Sequence, residues 1–157
     1  MTTSSSSYLR PLLGKDEELT LDATDGSQLI KEASQLFSYI DRNFIHWDEL
    51  GVPGPPTQPT PVRIHEVVKD GSLKDFFGNP SLDWGWEESQ VVLFCAKHYS
   101  WLHNKWHATL FPLKSNVVAR VDFDAHNRLG VYAYRLHNNR LWHVKVSPRI
   151  ITPGSLH

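Results

Sequence analysis

The chain has 157 residues, 40% of them hydrophobic, and a formal net charge of −1, which suits one domain with its own core. A single cysteine, Cys95, excludes an internal disulfide framework and a cysteine-based zinc site, and it fits a reducing compartment. No apolar run approaches the roughly 20 residues of a membrane helix, and the opening MTTSSSS lacks the hydrophobic centre of a secretory signal, so the expectation is a soluble cytoplasmic protein.

The near-zero balance conceals a split. Met1 to Glu88 carries 7 Lys and Arg against 15 Asp and Glu, and Ser89 to His157 carries 9 against 2, so the two parts stand at −8 and +7. Seven of the nine histidines also fall in the second part. Such an asymmetry either serves an anionic partner or is neutralised where an acidic segment packs over a basic sheet.

Residues 1–8 form a polar tract expected to be a disordered tail, with residues 9–157 as one α+β domain. Leu29, Ile30, Ala33, Leu36, Phe37, Ile40 and Phe44 recur at helical spacing. They predict an amphipathic helix over about 27–44, capped by Asp25 or Ser27, with Lys31, Glu32, Gln35, Asp41 and Arg42 turned to water. The five prolines of GVPGPPTQPTP predict a connector over 51–62 in which neither helix nor central strand forms. Arg63 to Val68 fits a short strand. Ser72 to Phe77 fits a short helix opened by Ser72 and stopped at Gly78-Asn79-Pro80. Trp84 and Trp86, flanking Gly85, are expected to plug one end of a core.

From about 90 to 151 the chain is rich in Val, Tyr, Trp, Phe and Thr. Turn-forming clusters punctuate it at His103-Asn104-Lys105, Ala125 to Arg128 and His137-Asn138-Asn139. This predicts an antiparallel β-meander of four to six strands. With the long and the short helix packed on one face of a curved sheet, the architecture resembles a cystatin/NTF2-like cup, a small β-barrel crossed by the helix being the alternative. That resemblance is architectural and carries no function.

Turn positions determine which side chains share a face. A turn at Asn104-Lys105 would set His98 opposite Phe111 and gather His98, Ser100, His107 and Thr109 on one face, with Tyr99, Trp101, Trp106 and Leu110 on the other. A turn at Asn138-Asn139 would set Tyr134 opposite His143 and Tyr132 opposite Lys145. A turn at His126-Asn127 would add Val121 and Phe123 to that face. Arg120, Asp122, Val131, Arg135, Trp142, Val144 and Val146 then fall on the reverse. A slip of one residue exchanges the faces.

Three functions fit these groupings. The first is a small ligand-binding domain whose basic, His- and aromatic-rich sheet takes an anionic ligand, either nucleic acid or a nucleotide. Arg120, Arg135, Trp142, Trp101 and Trp106 would be its binding residues, because rings set among cations stack bases without regard to sequence. The second is a metal-free acid/base enzyme, either of ribonuclease type or an isomerase or cyclase on a small molecule. It would use His143 with Tyr132, Tyr134 and Lys145, or as second choice His98 with His107. An imidazole exchanges protons near neutrality while Lys and Tyr donors hold a developing anion. The third is a protein–protein inhibitor or immunity-type protein presenting the Trp and His cluster.

No cofactor or metal is expected. His98, His103 and His107 bracket a turn with no carboxylate nearby, and Cys95 lies in the apolar run Val91 to Ala96, where a thiol is inert. His107-Ala108-Thr109 supplies only half of a two-motif phosphoesterase signature. There is no glycine-rich phosphate loop or dinucleotide fingerprint.

Overall fold

The computed structural model describes residues 8–13, 18–78, 81–102, 107–146 and 148–154. Apart from Tyr8, the expected tail lies outside them. The strands are β1 (Leu9–Pro11), β2 (Thr20–Leu21), β3 (Phe37–Ile40), β4 (Thr60–Val67), β5 (Thr109–Leu113), β6 (Val117–Phe123), β7 (Leu129–Arg135) and β8 (Arg149–Pro153). They form one open sheet in the order β1-β4-β8-β5-β6-β7-β3, with β2 also on β4. The β3–β7 and β5–β8 pairs are parallel and the rest antiparallel. With helices α1 (Asn43–His46), α2 (Leu73–Phe77) and α3 (Glu88–Lys97), the fold is α+β.

The segment 27–44 is not the expected helix. Ile30–Glu32 make one 3-10 turn, Phe37–Ile40 form β3, and only Asn43–His46 are α-helical. The apolar spacing still marks a buried side, since Leu29, Ile30, Phe37 and Phe44 are all buried. However, β7 supplies backbone partners to the segment, with Phe37 beside Leu129 and Ile40 beside Val131. The aromatic and β-branched side chains of β3 suit a pleated surface better than a helix.

The opposite exchange occurs at Glu88–Lys97, where the expected first strand of the meander is α3. Its start is fixed by a capping box, the Glu87 N–H donating to Gln90 Oε1 at 3.0 Å. Val91, Val92, Phe94 and Cys95 are all buried, so the run has no polar side to reveal a helical period. His98 is therefore a helix C-cap, followed by a 3-10 turn at Tyr99–Trp101. Phe111 pairs with Ala119 rather than His98. The turn expected at Asn104-Lys105 lies outside the described residues.

The proline-rich connector ends sooner than expected. Thr60 and Pro61 already belong to β4, a strand inside the sheet. Pro61 is tolerated near the start of the strand, where it stands opposite Thr20 of the two-residue β2 and its carbonyl accepts from the Gly154 N–H. The helix at α2 forms as expected: the Asp75 N–H donates to Ser72 Oγ at 3.3 Å, the Ser72 N–H donates to Asp75 Oδ2 at 2.9 Å, and Gly78 ends it in the left-handed conformation.

Alternation along β6 and β7 divides side chains between two cores. Val117, Ala119, Val121, Val131 and Ala133 join Phe37, Phe44, Trp86 and α3. On the other side Val118, Leu110 and Ile150 join Leu73 and Phe76 of α2, Leu136 and Trp142. Trp86 is fixed by its Nε1–H, which donates to the Ile151 carbonyl at 2.8 Å in a buried setting. The long helix that was to wall the cup is absent, and Phe37 and Phe44 lie across the sheet from the second core, so the helix layout differs from the cup. The sheet is open rather than closed into a barrel.

Candidate functional site

The hairpin of β6 and β7 is set by a loop one residue longer than the expected two-residue turn. Asp124 N–H donates to Arg128 O at 2.8 Å, Asp124 Oδ1 accepts from the N–H groups of His126 at 2.7 Å and Arg128 at 3.0 Å, and Asn127 is left-handed at φ 60. The register moves by one in consequence. Arg120 stands opposite Tyr132, Asp122 opposite Gly130 and Val118 opposite Tyr134. Arg120 and Asp122, expected on the reverse, therefore share the face of Tyr132 and Tyr134, while Val121 and Val131 enter the core.

A connected group of cations and rings results. Arg120 Nη1 donates to Tyr134 Oη at 2.8 Å and Nη2 to Asp122 Oδ2 at 2.6 Å. The guanidinium carbon of Arg120 lies 5.0 Å from the Tyr132 ring centroid and 5.8 Å from that of Trp142. Arg140 lies 4.5 Å from the Trp142 centroid, and its Nη1 donates to Tyr134 Oη at 3.0 Å. Tyr134 meets Trp142 edge-on with centroids 5.6 Å apart. At this separation each cation gains from the ring quadrupole, more so where water is excluded. Trp142 is anchored by reciprocal backbone hydrogen bonds to Gly71.

Tyr132 continues the group toward the sheet edge. A Cβ on Gly130 would fall 3.3 Å from Tyr132 Oη and 3.4 Å from Cε1, so the ring lies down over this glycine. Tyr39, half exposed, is tilted 34° to it with centroids 5.2 Å apart. Burial opposes the charge of Arg120, but Asp122 and Tyr134 outweigh it and hold the guanidinium above its ordinary value. Burial lifts the Asp122 carboxyl, with Arg120 pulling the other way, and burial together with Asp122 lifts the Tyr132 phenol. Two buried donors here, Arg120 Nε and Trp142 Nε1, have no acceptor among the described residues.

The other expected residues are placed elsewhere. His143 is exposed, its Nδ1 3.4 Å from Asp70 Oδ2, and Lys145 lies in the 3-10 turn Val144–Val146. Trp142 bridges Gly71, so no strand sets His143 beside Tyr134 or Lys145 beside Tyr132. His98 packs its ring 5.3 Å from Phe94, and His107 precedes β5. Trp101 is half-buried, its carbonyl accepting from Arg149 Nη1 at 2.9 Å. Trp106 lies outside the described residues. Arg135 makes a two-pronged contact with Glu49 and lies 4.0 Å over the Trp47 ring, apart from the Arg120 group.

Part of the charge split is neutralised internally, through Lys97–Asp22, Lys114–Glu87 and Arg135–Glu49. Arg140, by contrast, bonds a hydroxyl rather than a carboxylate. Sequence reasoning missed Arg140 and Tyr39 as members of the site. A glycine inside a strand pattern at Gly130 was the signal that something lies close over the backbone. Among the described residues no three His, Cys, Asp or Glu side chains are grouped to hold a metal, and no helix is long and apolar enough to cross a membrane. Family models, curated proteins and solved structures all yield no match to this chain.

Proposed function

We propose that the sheet face of Tyr39, Tyr132, Arg120, Tyr134, Trp142 and Arg140 binds single-stranded nucleic acid. The observation that carries this reading is the ring of Tyr132 lying over Gly130, beside half-exposed Tyr39 and within reach of Arg120. A flat phenol with a tilted neighbour offers a stacking platform, and Arg140 offers an exposed cation to the backbone. Asp122 offsets the charge of Arg120, so stacking rather than bulk charge supplies most of the affinity.

Titration of a fluorescent short oligothymidylate at low salt tests the reading. Tyr132→Ala removes one stacking surface, worth about 1–3 kcal/mol per base, and is expected to weaken binding by about ten-fold or more in a folded protein. Absence of binding at low salt, or equal binding by Tyr132→Ala, overturns it.

A further inference from the structure

A concavity lies several strands away from that face, where β1 and β2 lean on the same strand. β1 pairs with His65–Val67 of β4 and β2 with Thr60–Pro61. Between these pairings the Leu12 N–H donates to the Ile64 carbonyl at 2.8 Å and the Leu19 carbonyl accepts from the Val62 N–H at 2.8 Å. Leu12 and Leu19 thus both bond β4, at neighbouring positions. A cleft of about 630 Å³ is lined by Pro11, Leu13, Leu19, Arg63 and His65, among others, within the size range of small-molecule sites.

Two polar groups in this cleft lack the partners that such groups ordinarily have. Arg63 and His65 sit two apart on β4 and so project from one face, roughly 7 Å apart along the strand. Arg63 Nε donates to the Gly154 carbonyl at 3.3 Å, which steers the guanidinium, and among the described residues no carboxylate pairs with it. His65 Nδ1 is buried and has no hydrogen-bond partner among the described residues. Burial, with Arg63 adding to it, holds the imidazole below its ordinary value and so neutral. Among the described residues one opposing charge lines the same cleft, the exposed carboxylate of Glu18.

We propose that this cleft binds a small amphipathic carboxylate, its apolar body against Pro11, Leu13 and Leu19 and its carboxylate between the Arg63 guanidinium and His65 Nδ1–H. The forked donors of arginine match a carboxylate, and an acceptor beside His65 satisfies a buried nitrogen whose lone state is costly. Glu18 opposes added negative charge, which disfavours a dianion more than a monoanion.

Octanoate is the probe, with 1-octanol as the control that keeps the chain and lacks the charge. Calorimetry and proton NMR of the intact protein are expected to show saturable octanoate binding, weakened about ten-fold by Arg63→Gln and about as much in 1-octanol, in line with a lost charge-assisted hydrogen bond. Arg63 is exposed, so that variant stays folded. Glu18→Gln should bind octanoate as well as or better than the parent. At saturation the His65 ring resonances should shift and their titration midpoint rise, since a carboxylate favours the imidazolium. Equal binding of octanol, an unaffected Arg63→Gln, a weaker Glu18→Gln, or His65 resonances that stay in place would each overturn the proposal.

Discussion

Arg120 faces Tyr132 across β6 and β7, and that pairing exists because Asn127 takes a left-handed turn at φ 60. The loop and the platform are therefore one device. A β-branched residue at position 127 meets its own backbone in this conformation, costing about 1–2 kcal/mol. Asn127→Val is expected to lower unfolding stability by that amount, and Asn127→Gly to leave it nearly unchanged. Urea denaturation of the two variants checks this, and equal stabilities would mean the turn is not held as described.

Gly130→Val separates the platform from the fold. The new side chain meets only the far end of the Tyr132 ring, which can swing away, and valine suits a strand better than glycine. Thermal stability should hold or rise while oligothymidylate affinity falls about ten-fold, the loss expected for one stacked base. Unchanged affinity would show that the ring lying over Gly130 is not the contact surface.

Two arginines in the basic part should behave oppositely. Arg140→Ala is expected to weaken oligonucleotide binding and reduce the slope of log affinity against log salt by about one, the signature of one lost phosphate contact. Arg135→Ala removes an exposed pair with Glu49 and a contact with Trp47, so it should change stability by less than about 1 kcal/mol and leave binding alone. A salt titration of both variants gives the answer.

The contrast between α2 and the segment 27–44 shows what the sequence could convey. Ser72, Asp75 and Gly78 carry their instructions locally, in a capping box and a left-handed stop, and the helix forms where they place it. Phe37 to Ile40 take theirs from β7, some 90 residues away, and no local pattern reports that partner. Val91 to Cys95 fail differently: every one of them is apolar and four are buried, so no polar face marks a helix. The site was half legible for the same reason. Arg120, Tyr132, Tyr134 and Trp142 were each recognisable as residues of interest, but the first three are grouped by a single residue of loop length at Asn127 and Trp142 by its bridge to distant Gly71.

Cys95 is fully buried within α3, and burial pushes its thiol far above the ordinary range. It should resist an aromatic disulfide reagent in the native protein and react at once in denaturant. Rapid native reaction would place the thiol at the surface instead.

Glu88 ties three separate segments together, and its pH response has a sign opposite to that of most carboxylates. Its Oε1 accepts from the Ile30 N–H at 3.1 Å and its Oε2 from the Gly51 N–H at 2.8 Å, joining the 3-10 turn and the loop after α1 to the start of α3. Burial is the largest influence and raises the carboxyl above its ordinary 4.5, against the two N–H donors and Lys31. The native state therefore holds a proton that the unfolded chain has already released, and stability falls as pH rises through that interval. Glu88→Gln keeps the size but does not titrate. The stability advantage of the parent over Glu88→Gln is expected to be greatest below the ordinary carboxylate value and to shrink as pH rises past it. Urea denaturation of both proteins across that range provides the measurement. An advantage that instead grows with pH would mean the two backbone donors outweigh burial and that the ionised form is the one the fold prefers.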